Sequence, residues 1–197
     1  LSTGERQRMQ LARAVRNRTT GVLYVLDEPS IGLHPSNIVG LTDVMHDLIA
    51  DGNSVILVDH DTQILSEADW LVEMGPKAGA DGGRIIAQEM FSLGTIHLST
   101  DAIHTVKPLE ADIPKGRLTV VTGVSGSGKT TLILESLIPA LESMINGTKL
   151  PSHVKNITAE DIEQVKLIDA APIGINVRST VATYANVHDE LRKVYAK

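Results

Sequence analysis

Eight consecutive residues, Gly123-Val124-Ser125-Gly126-Ser127-Gly128-Lys129-Thr130, have the full spacing of a phosphate-binding loop, with a β-rich apolar run before them and a helical pattern after them. Glycines at these positions let successive backbone N–H groups turn inward around a phosphate, and the N-terminus of the following helix adds positive potential. Lys129 is placed to reach the β- and γ-oxygens of a nucleotide, and Thr130 to offer its hydroxyl to Mg²⁺. Gly123, Ser125, Gly126, Ser127, Gly128 and Thr131 complete the predicted nucleotide-binding set.

Two further constellations precede this loop. Asp27 and Glu28 close the continuous run Val22 to Leu26, where one carboxylate can hold Mg²⁺ through water and the next can polarise an attacking water. His60 follows a second apolar run, Ser54 to Val58, where an imidazole can contact a γ-phosphate. Taken singly, the pair also fits strand-end carboxylates, and the histidine a core or loop residue. Their order, after a capped Ser2-Thr3-Gly4-Glu5, is what joins them into one pattern.

The elements that must position these groups alternate. Ser2 and Glu5 fit a capping box for a helix from about Gly4 to Arg18, with Met9, Leu11, Ala12 and Val15 on its apolar side. Val22 to Leu26 predicts a strand covered on both faces, and Pro35 opens a helix that runs until Gly52-Asn53. Ser54 to Val58 is a second buried strand, Asp61 caps a short helix to Ala68, and Leu71 to Met74 is another strand. The glycine-rich 75–83 stretch is a turn, and Arg84 to Gln88 a return strand. From about Glu89 to Lys115 no element is legible. Leu118 to Thr122 then leads into the phosphate loop, a helix runs from Lys129 to about Ile145, Val165 to Ile168 is a strand, and a helix closes from Thr183 to Ala196. The alternation predicts an α/β fold with a mainly parallel sheet and flanking helices.

Composition narrows the setting. The 197 residues carry a net charge of −6 and no cysteine, so a disulfide framework and thiolate metal sites are excluded from the segment, and a reducing cytoplasmic setting fits. No apolar run approaches the roughly 20 residues that span a bilayer. The acidic balance does not advertise nucleic acid. Arg6, Arg8, Arg13, Arg16 and Arg18 form the one basic candidate, and they equally suit a solvated helix face.

The residues from Leu1 to Arg8 resemble the signature motif of ATP-binding-cassette proteins, and Leu26 to His34 resembles their Walker B and D-loop. Within that class, Asp27 to His34, Ala68-Asp69-Trp70, Gly75-Pro76 with Gly79 and Gly82-Gly83, and Val121 to Lys129 are similar to the UvrA family, the damage-sensing subunits of the UvrABC excinuclease. Pro172-Ile173-Gly174 with Arg178-Ser179 and Ala182-Thr183-Tyr184 extends the likeness. In a single cassette the phosphate loop comes first. Here it comes last, so the resemblance implies two partial cassettes: residues 1–92 as the C-terminal half of one nucleotide-binding domain, and 93–197 as the N-terminal half of the next.

The same resemblance implies that Asp27 holds magnesium, Glu28 acts as general base and His60 meets the γ-phosphate in the first pocket. Lys129 and Thr130 belong to the second, with Ser2 and Gly4 facing its nucleotide. It implies ATP and Mg²⁺ as ligands, damaged double-stranded DNA and a UvrB-like protein as partners, and a homodimer of a longer, cytoplasmic protein. Zinc modules are expected only outside this segment, and little turnover is expected from it alone. Three positions depart from the pattern: Thr3 where glycine is usual, Ala170 where the Q-loop glutamine is usual, and Ile175 where arginine is usual. A drug-resistance paralogue and a non-catalytic nucleotide-binding fragment are the alternatives.

Overall fold

The structure, a computed structural model, describes residues 19–75, 84–87 and 94–168, together with Leu11, Arg13 and Val15. The expected signature residues Ser2 and Gly4, the 76–83 turn, the 92/93 boundary, Ala170, Ile175 and the closing helix lie outside the described residues. No helix of the described residues is long and apolar enough to cross a membrane.

Six strands form the main sheet: β1 (Val22–Asp27), β2 (Ser54–Val58), β3 (Trp70–Gly75), β4 (Arg84–Ala87), β7 (Leu118–Gly123) and β9 (Gln164–Ile168). Their order is β4-β3-β7-β2-β1-β9, and every pairing is parallel except β3 with β4. Alternation of side chains sorts each strand onto two faces. Val22, Tyr24, Leu26, Val55, Leu57, Leu118 and Val120 pack against Ile38, Leu41, Met45 and Leu48 of helix α1 (Pro35–Ala50), with Leu11 joining them. Leu23, Val25, Ile56, Val58, Val72 and Val121 face the opposite way, onto Leu132, Ile133, Leu137 and Leu141. Burial on both faces explains why these strands read as unbroken apolar runs.

A second, antiparallel sheet was not legible beforehand. It contains β5 (Thr95–Thr100), β6 (Leu109–Pro114) and β8 (Val154–Thr158), in the order β6-β5-β8. Ile96, Leu98, Ile113, Val154 and Ile157 turn toward the helix that follows the phosphate loop. That helix is not uniform. Thr131–Leu137 winds as a π-helix and continues as α3 (Ile138–Asn146), which Gly147 ends at a φ of 64°. Pro139 accounts for the change, because it lacks the N–H that an α-helix would need there and its ring crowds the carbonyl four residues back. A short helix α2 (Thr62–Ser66) is capped by Asp61, whose Oδ1 accepts the Gln63 N–H at 2.8 Å, as the sequence predicts.

Strands from residues 1–92 and from residues 93–197 share one sheet: β7 lies between β3 and β2, and β9 lies beside β1. The physical reason is edge completion. Both β2 and β3 present an apolar edge with free backbone groups, and the wholly buried Leu118, Thr119, Val120 and Val121 of β7 satisfy both.

Candidate functional site

Because β1, β2 and β7 are parallel, their C-terminal ends reach the same edge of the sheet, where open α/β folds bind ligands. Asp27 stands level with Val58, and Val58 with Val121. Past these positions the backbones stay tied: the Glu28 N–H donates to the Val58 carbonyl at 2.8 Å, and the Asp59 N–H to the Val121 carbonyl at 3.2 Å. The structure therefore brings Asp27, Glu28 and His60 to the edge that also carries the loop Gly123 to Thr130.

The loop has the backbone that phosphate binding needs. Gly123, Gly126 and Gly128 take φ values of 136°, 76° and 95°, a region side chains rarely adopt. At Gly123 any Cβ would also run into the carbonyl of Met74, so the strand can pass β3 closely only with glycine there. Ser127 is fully buried, and its Oγ has no hydrogen-bond partner. Lys129 folds back over the loop, its Nζ donating to the carbonyls of Gly123 at 2.9 Å and Val124 at 3.0 Å. A positive group already centred on the loop suits an anionic ligand. Thr130 is exposed at the helix start and Thr131 is half-buried, its hydroxyl donating to Glu135 at 3.2 Å.

Glu28 is held in an unusual conformation. Its φ of 47° is left-handed for a residue with a side chain, a state that costs of order 1–3 kcal/mol and persists only when surroundings enforce it. Here the Glu28 carbonyl accepts the Ile31 N–H at 3.2 Å, while the Leu33 N–H donates to the Ser30 carbonyl at 2.9 Å, closing a tight turn. Asp27 and Glu28 are half-buried and His60 is exposed.

The residue that sequence reasoning missed is Asp59. It is fully buried, and its carboxylate accepts four hydrogen bonds: from the Ser30 N–H at 3.2 Å, the Ser30 hydroxyl at 2.8 Å, the His60 N–H at 2.7 Å and the Asp61 N–H at 3.0 Å. One carboxylate thus fastens the turn after Glu28 to the turn that carries His60. The available signal was an aspartate directly after a buried strand, a position that favours bonding to the next backbone N–H groups.

The oxygen donors at this edge, the Asp27 carboxylate and the Thr130 hydroxyl, have the hard character that suits magnesium. Farther along the helix, the exposed Glu135 carboxyl is held below its ordinary range, chiefly by its hydrogen bond with His104 at 2.9 Å and less by Thr131. With the folded value the lower one, this contact favours the fold above the unfolded pKa and is lost as pH falls through the folded value. In a His104→Ala variant the Glu135 titration followed by NMR is expected to move upward, and an unmoved midpoint would discard His104 as the cause.

No family model matches the chain. Along its whole length it is similar to proteins described as UvrABC system protein A: at 34% identity over 229 residues to that of Helicobacter pylori, at 37% over 232 to that of Micrococcus luteus, and at 38% over 229 to that of Synechocystis sp.. Each similarity covers 100% of this chain but only 23–24% of the relative, so the chain spans about a quarter of the length of the curated relatives it matches. Among solved structures, UvrA2 from Deinococcus radiodurans is similar at 34% identity with a TM-score of 0.45, over 100% of this chain and 27% of that one. Similarity at this level along the whole chain, on a sheet whose strand ends carry the phosphate loop and the Asp27-Glu28 pair, means that the chain belongs to the UvrA family.

Proposed function

We propose that this chain is part of a UvrA-type ATP-binding-cassette ATPase, which binds and hydrolyses ATP to drive recognition of damaged double-stranded DNA in nucleotide excision repair. The observation that carries the reading is the loop Gly123 to Thr130, with its three left-handed glycines and Lys129 poised over it at the carboxyl end of a buried parallel strand. Its residues would bind the phosphates of ATP, with Thr130 holding Mg²⁺ in that pocket and Asp27 holding it in the pocket of the preceding cassette, where the bound ion would supply charge neutralisation at the phosphates. Glu28 takes the proton of the attacking water as general base, and His60 contacts the γ-phosphate. Ser2 and Gly4 face a nucleotide from the signature side. Residues 1–92 and 93–197 derive from two successive nucleotide-binding domains of a longer cytoplasmic protein, which works as a homodimer with a UvrB-like partner.

Lys129→Ala tests this reading. A charge-assisted bond of this kind is worth about 1.5–3 kcal/mol, so ATP affinity is expected to fall roughly 10- to 150-fold. Equilibrium titration of labelled ATP into the wild-type chain and the variant gives the answer, and equal affinities would remove the loop from the proposal.

A further inference from the structure

We infer that Glu135, positioned by His104, competes with a bound nucleotide for the hydroxyl of Thr131, which gives the antiparallel sheet a hold on the first turn after the phosphate loop. This competition rests on the nucleotide-binding reading above and places a residue pair outside the loop in control of the loop's affinity.

Thr131 directly follows Thr130, the last residue of the loop, and opens the π-helix. It is gripped at both its hydroxyl and its carbonyl. The hydroxyl donates to Glu135 Oε1 at 3.2 Å, and the other carboxylate oxygen, Oε2, lies 2.9 Å from His104 Nε2. An ionised carboxylate only accepts, so His104 is the donor in that contact. The Thr131 carbonyl accepts the Ser136 hydroxyl at 3.2 Å. With its single hydrogen committed there, the Ser136 oxygen accepts from His153 Nε2 at 3.0 Å. Separate routes thus lead from Thr131 to two histidines of the antiparallel sheet.

Both histidines lie at one end of that sheet. His104 sits in the tight turn between β5 and β6, closed by bonds of 2.9 and 2.8 Å between the backbones of Ile103 and Val106. His153 immediately precedes β8, and its carbonyl accepts the Asp101 N–H at 2.7 Å, which ties it to the start of the same turn. The φ of His104 is 51°, a left-handed state that a residue with a side chain keeps only where its surroundings enforce it.

A hydroxyl has one hydrogen to give. A phosphate oxygen over the loop needs that hydrogen, whereas here Thr131 gives it to Glu135, an anion that also repels an anionic ligand. Nucleotide and Glu135 therefore draw on Thr131 in opposition. Glu135 is exposed, and an unattached glutamate would spread over many rotamers; the bond from His104 keeps it turned to Thr131.

Equilibrium titration of labelled ATP into this chain tests the competition. Glu135→Gln keeps the side chain's shape but removes its charge, and is expected to bind ATP about two- to fivefold more tightly than wild type, the scale of one modest hydrogen bond. A residue that merely supported the helix would do the reverse. Thr131→Val is expected to bind about tenfold more weakly, and Thr131→Ser to restore wild-type affinity. Added to Thr131→Val, Glu135→Gln should gain less than it does in wild type, because the contested hydroxyl is gone. His104→Ala should tighten binding in wild type and add nothing on top of Glu135→Gln. Unchanged or weaker binding by Glu135→Gln, an equal gain with and without the Thr131 hydroxyl, or an effect of His104→Ala that persists beside Glu135→Gln would overturn the inference. In each of those cases a weak Lys129→Ala leaves the nucleotide-binding reading standing. If wild type binds no ATP, that reading falls and takes this one with it.

Discussion

Glu28→Gln in a full-length protein carrying this segment is expected to retain ATP binding while single-turnover hydrolysis at this site slows by about 10²–10⁴-fold, the usual contribution of a positioned general base. The amide keeps the shape of the side chain but cannot take up the proton of the attacking water. The structure adds a reason for the position's sensitivity. Glu28 is kept in a left-handed backbone state by bonds at both its N–H and its carbonyl, so its carboxylate is presented from a fixed platform. Rapid-quench measurement of one turnover isolates the site from any second one, and an unchanged rate would reduce Glu28 to a strand-end carboxylate.

The second large effect is on stability. Asp59→Ala removes the acceptor for four donors at once. Some of these can turn to water, since the donors lie nearer the surface than the carboxylate. Two that cannot would together cost about 3 kcal/mol, because each orphaned donor costs roughly 1–3 kcal/mol. In a chain of this size that lowers the apparent melting temperature by roughly 6–12 °C. Differential scanning calorimetry of wild type and variant measures it directly. A change within 2 °C, on the order of a surface substitution, would mean that the Ser30 and His60 turns hold themselves without Asp59.

Much of the main sheet was legible because burial on both faces writes an unambiguous apolar run. Ser54–Val58 is observed at its predicted bounds, β1 and β7 each run one residue further at the C-terminal end, and β3 one residue further at both ends. The small antiparallel sheet was not legible, because its inward positions are diluted by polar ones. In β5, Ile96, Leu98 and Thr100 point inward between His97 and Ser99, and the bulge between Ser99 and Thr100 shifts the pairing with β8. Alternation was present there, but too short and too polar to stand out. The helix after the phosphate loop was placed correctly but not its winding, which depends on how the chain accommodates Pro139. Of the site, the residue types and their strand ends could be read from the sequence. Asp59 escaped, because its role lies in the turns it joins, which only the folded chain makes neighbours.

The placement of β7 between β2 and β3 also bears on how the chain is born. Residues that complete the sheet are synthesised long after those that await them, since roughly 60 positions separate Val58 from Leu118. At about 5–20 residues per second that interval lasts some 3–12 s. Throughout it, the apolar run Ser54 to Val58 has one edge without its partner strand, the kind of surface on which nascent chains associate with one another or with chaperones. The gap between β2 and β3 thus stays open until the strand that leads into the phosphate loop has left the ribosome, and the edge of β1 stays open longer still, until β9 follows.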